Sequence, residues 1–85
     1  MKIYLVCETI DLGYHVVKAF TCEEDALIEC SRLNDDTLVQ LSNRMYNSGQ
    51  YTQEQIKSCL ESPHNKYRFE MHETELLGAN NEHLQ

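Results

Sequence analysis

The chain has 85 residues, and its 14 acidic side chains against 7 basic ones give a formal net charge of -7. This length holds one domain, because two separate cores of half the size would each bury too little surface. The acidic balance disfavours direct binding to a phosphate backbone, which requires a positively charged face. Hydrophobic residues make up 41% of the chain, which is typical of a folded protein and predicts a compact domain over residues 1–77.

Two strands joined by a tight turn are predicted at the start of the chain. Residues 1–9 alternate as a strand does, and residues 14–20 are rich in β-branched and aromatic side chains. The turn between them, residues 11–13, ends in a glycine that can adopt a positive φ. Because both strands are apolar on each face, we expect one face to take helices and the other to meet a partner. The two rows of the first strand are Ile3, Leu5 and Cys7 on one face and Tyr4, Val6 and Glu8 on the other.

A helix is predicted to begin at Thr21, because Thr21 and Glu24 have the spacing of a capping box. Acidic residues crowd its first turn, where the helix dipole favours them. The Asn-Asp-Asp sequence at residues 34–36 is expected to end or interrupt this helix, with Asp36 placed to cap the next one. The predicted apolar stripe contains Ala26, Leu27, Cys30 and Leu33.

Two further helices follow in the prediction. The second helix covers residues 37–46 and stops at Gly49, the expected left-handed position. The third begins at Thr52, again in a capping box, and closes at Ser62 because the residue before a proline is disfavoured in the helical region. The side chains expected to be buried by these two helices are Leu38, Leu41, Met45, Ile56, Cys59 and Leu60.

A final strand is predicted over residues 66–76, where apolar and polar side chains alternate. Residues 78–85 show no periodicity and are expected to form a flexible tail. The fold class is therefore α+β: a three-stranded antiparallel sheet with two to three helices on one face, in the order β-β-α-α-α-β. We expect the last strand to lie beside the first, which leaves the second as an exposed edge. The row of the last strand turned to the core should be Tyr67, Phe69 and Met71, with Arg68, Glu70, His72 and Thr74 turned to water.

The sequence offers little support for an enzyme. No two of the four cysteines are spaced as C-x-x-C, no two histidines as H-x-x-x-H, and the three glycines are far apart. We therefore expect no catalytic residue, no metal and no cofactor, although a metal- or thiol-dependent protein built on Cys22, Cys30 and the histidines remains an alternative. The first residues are too often charged for a signal peptide, and no window is apolar enough for a membrane span, so a cytoplasmic protein is expected.

The acidic residues are concentrated in one part of the chain. Positions 23–36 hold six acids and one base, which accounts for -5 of the net charge. Such a run indicates either a solvated helix face or an acidic surface that docks on a basic surface of another macromolecule, since complementary charge steers encounter and sets orientation. Tyr46 and Tyr51 are added as candidate anchors, because tyrosine is enriched at interface hot spots. The candidate partner-binding residues are Glu23, Glu24, Asp25, Glu29, Asp35, Asp36, Tyr46 and Tyr51.

Three segments of the chain form a recognisable pattern. They are Met-Lys-Ile-Tyr-Leu-Val at the start, Gly-Tyr-His-Val-Val-Lys-Ala-Phe from Gly13, and Thr-x-Glu-Glu-Asp-Ala from Thr21 with a later Leu-Asn. This pattern resembles small uncharacterised proteins that are common in bacteriophage genomes. The resemblance covers residues 1–34 and the last strand, and it implies a compact α+β fold and a viral accessory role. It carries no catalytic or binding residue, and residues 35–63 depart from the shorter pattern.

The sequence thus predicts a non-enzymatic, phage-type accessory protein of the host cytoplasm. Its expected action is to bind and inhibit or redirect a host protein that has a basic surface and works on nucleic acid or in defence. No direct binding to nucleic acid or to a membrane is expected. The alternative is a structural or regulatory module that forms a homodimer through an exposed strand edge.

Overall fold

The structure is a computed structural model, and it describes residues 1–75. The predicted flexible tail at residues 78–85 lies outside the described residues, as do Leu76 and Leu77. The chain forms, in order, β1 (Lys2–Ile10), β2 (Gly13–Phe20), α1 (Glu23–Ser48), α2 (Gln53–Glu61), α3 (Pro63–Lys66) and β3 (Phe69–Glu75). The predicted α+β class and the order β-β-α-α-α-β are confirmed.

The three strands form one antiparallel sheet in the order β2-β1-β3. The predicted order is confirmed, because the last strand lies beside the first and β2 lies at an edge. Gly13 closes the hairpin with a φ of 132°, as the turn prediction requires. A β-bulge shifts the register between Val6 and Cys7, so that Val6 pairs with Lys18 but Cys7 pairs with Val16. The bulge leaves Val17 as the extra residue of β2.

The core lies between the sheet and the N-terminal half of α1. Val6, Ala26 and Cys30 form its buried centre, and Val6 is fully buried. Burying a side chain of this size contributes about 1.5–3 kcal/mol. The partly buried side chains around this centre are Tyr4, Phe20, Leu33, Phe69 and Met71. The alternation predicted for the last strand is confirmed at Phe69 and Met71, which face the core. It is wrong at Tyr67, which precedes β3 and is 60% exposed.

Helix α1 corrects the prediction of two separate helices, because it continues without a break from Glu23 to Ser48. The side-chain amide of Asn34 donates to the carbonyl of Phe69 at 3.0 Å and accepts from the Phe69 amide at 2.8 Å. Asn34 therefore bonds the backbone of β3 instead of competing for its own helix backbone. Thr37 also fits within the helix, because its hydroxyl donates to the carbonyl of Leu33 at 2.8 Å.

The start of α1 also differs from the prediction. The N-cap is Cys22 rather than Thr21, and no side chain caps the helix there. The predicted capping box of Thr21 and Glu24 is therefore wrong, since the helix begins one residue later than a box at Thr21 needs. Leu27 is a second correction: it is about half exposed instead of buried in the apolar stripe with Ala26 and Cys30.

The C-terminal half of α1 packs with the two shorter helices. Thr52 caps α2 in the predicted capping box with Gln55, and Gly49 ends α1 with a φ of 67°. Helix α2 ends before Ser62 as predicted, but Pro63 then begins the short helix α3 in the N-terminal position that suits proline. Only α1 packs on the sheet, whereas α2 and α3 pack on α1 and on each other. The described sheet therefore carries one covering helix, not the expected two or three.

Candidate functional site

Five of the six candidate acids are exposed on α1, between its first turn and its middle: Glu23, Glu24, Asp25, Asp35 and Asp36. Within residues 1–75, none of these five carboxylates takes part in an ion pair. Three of them lie in the first turn of α1, where the helix dipole stabilises negative charge. The other two lie where the sequence predicted a helix end, and the continuous helix holds them in fixed register with the first turn.

The continuity of α1 aligns residues that a break at positions 34–36 would have separated. Three helical turns take about 10.8 residues, so side chains eleven positions apart project in nearly the same direction. Glu24, Asp35 and Tyr46 are spaced by eleven and lie on one side of α1, all of them exposed. The row they form spans about 33 Å along the helix axis at 1.5 Å per residue.

Two exposed apolar side chains lie in the same part of the helix surface. Ile28 is 64% exposed and Val39 is 57% exposed, and they too are eleven residues apart. We call the surface formed by Glu24, Ile28, Asp35, Val39 and Tyr46 the outer face of α1. Asp25 and Asp36, again spaced by eleven, flank the outer face on one side. The outer face therefore combines acids with apolar side chains that are exposed to water in the free chain.

Glu29 differs from the other five candidate acids. Its side chain is only 12% exposed, and it bonds Lys18 of β2 at 2.6 Å and Arg32 at 2.8 Å. The hydrogen bonds from Arg32 and then Lys18 lower the pKa of Glu29 from 4.5 to about 2. Glu29 thus joins α1 to the sheet and does not lie on the outer face with the exposed acids.

The two candidate tyrosines occupy different surroundings. Tyr46 is 57% exposed and belongs to the outer face, whereas Tyr51 is 47% exposed in the segment between α1 and α2. Tyr51 lines an open groove of about 280 Å³ together with Leu41, Arg44, Met45, Ser48 and Gln50. The structure therefore brings Tyr46 together with the acids and leaves Tyr51 beside a separate groove.

The four cysteines lie in different surroundings. Burial raises the pKa of the Cys7 and Cys30 thiols, which keeps them protonated and poorly nucleophilic at neutral pH. Across residues 1–75, no three side chains of histidine, cysteine, aspartate or glutamate lie close enough together to hold a metal ion. Cys22 is exposed, and Cys59 is partly buried.

Sequence reasoning missed Ile28 and Val39 as members of a surface. Neither residue belonged to a predicted apolar stripe, and the predicted break at residues 34–36 placed them on separate helices. The eleven-residue spacing of Ile28 with Val39 and of Glu24 with Asp35 was the available signal. It indicates one face only when the helix is known to be continuous.

Comparisons of the chain with models of known protein families, with curated proteins and with solved structures find no match. Among the helices of residues 1–75, none has the length and apolarity needed to cross a lipid bilayer.

Proposed function

We propose that this chain is a non-enzymatic binding protein whose outer face of α1 docks on a basic surface of another protein. The observation that carries the proposal is the exposed row of Glu24, Asp35 and Tyr46 on one uninterrupted helix. Acids placed along a rigid helix present negative charge at fixed intervals, which a flexible acidic loop does not. The partner recognises this pattern with lysine or arginine side chains at matching intervals.

The apolar side chains of the outer face supply the affinity that charge alone lacks. Exposed ion pairs contribute only about 0–1 kcal/mol each, whereas a few well-buried anchors, enriched in tyrosine, dominate most interfaces. Ile28, Val39 and Tyr46 are the proposed anchors, because each is more than half exposed in the free chain. Asp25 and Asp36 flank them and orient the partner.

The proposed consequence is inhibition or redirection of the partner by occupation of its basic surface. A protein that acts on nucleic acid carries such a surface, because it must neutralise phosphate groups. The resemblance of residues 1–34 to small bacteriophage proteins makes host proteins of nucleic-acid metabolism or defence, in the host cytoplasm, the first partners to test.

The test compares three forms of the chain as baits in a bacterial host lysate. The first is the wild type, and the second reverses charge on the outer face and its flank with Glu24→Lys, Asp35→Lys and Asp36→Lys. The third is a matched control, Asp11→Lys, Glu54→Lys and Glu61→Lys, whose acids are also exposed but lie away from the outer face. Each triple variant changes one acid in the first turn of a helix, and both have the same net charge.

The proposal expects a host protein that the wild type and the control retain and the outer-face variant loses. Binding of the purified protein should weaken by about tenfold or more in the outer-face variant and by less than about threefold in the control. Circular dichroism of the three purified baits is the control that all of them are folded. Equal retention by all three baits would show that the outer face does not bind the partner, and retention of no host protein by the wild type would contradict the proposal.

A further inference from the structure

The two edge strands of the sheet differ in how open their outer backbone is. In β2, the bulge at Val17 interrupts the ladder, and bulges protect an edge from further pairing. In β3, the register with β1 is regular from Phe69 to Glu75. A regular edge presents its outward N–H and C=O groups at even spacing, so β3 is the better template for an added strand.

The direction of the backbone groups of β3 follows from one hydrogen bond. The Thr9 amide donates to the Arg68 carbonyl at 2.9 Å. These two residues continue the register of β1 with β3 and form a hydrogen-bonded pair of the antiparallel ladder. Such pairs alternate along the ladder, so Phe69, Met71 and Glu73 direct their N–H and C=O groups away from β1.

Asn34 marks the line along which an added strand would lie. Its side-chain amide accepts from the outward N–H of Phe69 at 2.8 Å and donates to the outward C=O at 3.0 Å, as the backbone of a neighbouring strand does. Among residues 1–75, no group bonds the outward N–H or C=O of Met71 or Glu73. The edge is therefore closed at Phe69 and open at the next two outward residues.

Helix α1 runs antiparallel to β3 along this edge. It begins shortly after Phe20, which pairs with Tyr4, and Glu73 pairs with Tyr4 from the other side. The first turn of α1 is therefore near the C-terminal end of β3, whereas Asn34 contacts Phe69 at the N-terminal end. Positions along α1 thus correspond to positions along β3 in reverse order.

Leu27 lies beside the open part of the edge. It precedes Asn34 by close to two helical turns, so the two side chains project toward the same strand. Two turns rise about 10.8 Å, which is about three residues of a strand, and the reverse order places Leu27 beside residues 71–73. Leu27 is 49% exposed there, because no further strand of residues 1–75 covers it.

We propose that an extended segment of a basic partner protein pairs with the open edge of β3 as a fourth strand. We call the surface formed by Glu23, Leu27, Met71 and Glu73 the β3 edge site. The added strand runs antiparallel to β3, which is the more stable of the two pairings, and bonds the outward groups of Met71 and Glu73. Its side chains opposite these two residues project to the α1 side and cover Leu27.

Charge favours a basic segment over a second copy of this chain. Two β3 strands paired with each other would bring six glutamates together, three from each copy, and like charges directly opposite are destabilising. Two of the carboxylates around the site pair with Lys2 and with the amine of Met1, and the site remains acidic overall. The glutamates around the site are Glu23, Glu24, Glu70, Glu73 and Glu75.

The register gives the added strand a sequence preference. An apolar side chain opposite Met71 covers Leu27, whereas a lysine opposite Glu73 and a second lysine opposite Glu70 meet carboxylates. A β-branched residue suits the position between the first lysine and the apolar residue. Read along an antiparallel strand, these positions are Lys-Thr-Val-Lys.

A designed peptide tests the proposal on the full chain. The probe is the end-blocked, fluorescently labelled peptide Gly-Ser-Lys-Thr-Val-Lys-Ser-Gly, and its control replaces both lysines with glutamate. Fluorescence anisotropy measures the dissociation constants. The lysine peptide should bind at least about tenfold more tightly than the glutamate peptide.

Two neighbouring substitutions separate the β3 edge site from the outer face. Leu27→Lys adds a positive charge to the site and should raise the dissociation constant of the lysine peptide about tenfold or more. Ile28→Lys makes the same change on the outer face and should raise it by less than about threefold. In the host lysate the effects reverse, since Ile28→Lys should lose the partner of the outer face and Leu27→Lys should retain it. The two proposals therefore fail separately.

Proline substitutions test whether the backbone of β3 binds the peptide. Glu73→Pro removes an outward N–H but no hydrogen bond to β1, which edge strands tolerate. It should bind the lysine peptide about tenfold or more weakly than Glu73→Gln, which loses the same charge and keeps the N–H. Ala19→Pro is the control on the outer edge of β2, because Leu5 directs its backbone groups to β3 and not to Ala19. It should leave binding within about threefold of the wild type, and circular dichroism checks that each variant is folded.

Four results would overturn this inference. Absence of binding at about 5 mM lysine peptide excludes a basic segment as the occupant. Equal binding of the glutamate peptide excludes recognition by charge, and equal weakening by Leu27→Lys and Ile28→Lys excludes the β3 edge site. Slow exchange of the Met71 and Glu73 amides in the free chain would show that the edge is already paired, by residues 76–85 or by a second copy.

Discussion

The inner and outer faces of α1 contain similar residue types but differ in what those residues contact. On the inner face, Ala26 and Cys30 are buried against the sheet, and Glu29 is held by Lys18 and Arg32. On the outer face, Glu24 and Ile28 are exposed, and Glu24 has no ion-pair partner among residues 1–75. The acids of one short run therefore lie in two different surroundings. Glu29 joins the helix to the sheet, while the other five are exposed and form no ion pair among residues 1–75.

The largest expected effect is a difference in the free energy of unfolding between two valine-to-alanine variants, one in the core and one on the outer face. Val6→Ala removes two methyl groups from a fully buried side chain that packs against the inner face of α1. It should lower the free energy of unfolding by about 2–3 kcal/mol. Val39→Ala, at a residue 57% exposed on the outer face, should raise it by up to about 0.5 kcal/mol, because alanine has the higher helix propensity. Urea denaturation of both variants measures the difference, and similar losses would contradict the assignment of the two faces.

A smaller effect is expected from Asn34, which joins α1 to β3. Asn34→Ala removes two hydrogen bonds to the Phe69 backbone and leaves a partly buried amide and carbonyl without their partner. The expected loss is about 1–2 kcal/mol. Asn43→Ala is the matched control, since Asn43 is exposed on the same helix and should tolerate alanine.

Thermal unfolding of the two asparagine variants gives the comparison directly. Amide exchange of Phe69 adds a local readout, because its N–H loses its acceptor only in Asn34→Ala. Equal stability of both variants, with unchanged exchange at Phe69, would show that Asn34 does not join α1 to β3.

The smallest expected effect is a change in the pH dependence of stability. The pKa of Glu29 is about 2 in the folded chain against an ordinary value of 4.5. The ionised carboxylate therefore stabilises the fold fully above pH 4.5, and this contribution is lost as the pH falls towards about 2. Glu29→Gln should be less stable than the wild type at neutral pH, and the gap should narrow over that window.

Glu24→Gln is the control for this measurement. Glu24 is exposed on the same helix, so its loss should change stability little at any pH in the range. Denaturation curves collected from neutral to acid pH compare the three chains. A gap for Glu29→Gln that stays constant as the pH falls would contradict the ion-pair account of Glu29.

Local signals in the sequence were sufficient for the three strands and for the helix that Thr52 caps, although β3 begins at Phe69 rather than at residue 66. The alternation in β1 and β3 and the Thr52–Gln55 capping box depend on neighbours within a few residues, and both formed as predicted. The continuity of α1 depends on Asn34 and Phe69, which are 35 positions apart. Glu29 likewise depends on Lys18 of another element. No local sequence pattern indicates contacts between such distant residues. The continuity of α1, and with it the outer face as one surface, could therefore not be predicted.

The most direct test of the central claim is whether α1 is one helix in solution, since the outer face exists only if Glu24, Asp35 and Tyr46 are aligned. Backbone NMR of the full chain, with amide hydrogen exchange, measures this residue by residue. A continuous α1 should show helical carbon shifts without interruption from Glu23 to Ser48 and slow exchange of the amides of residues 35–38. Coil shifts and unprotected amides at residues 34–37 would divide α1 in two and contradict the proposed binding surface.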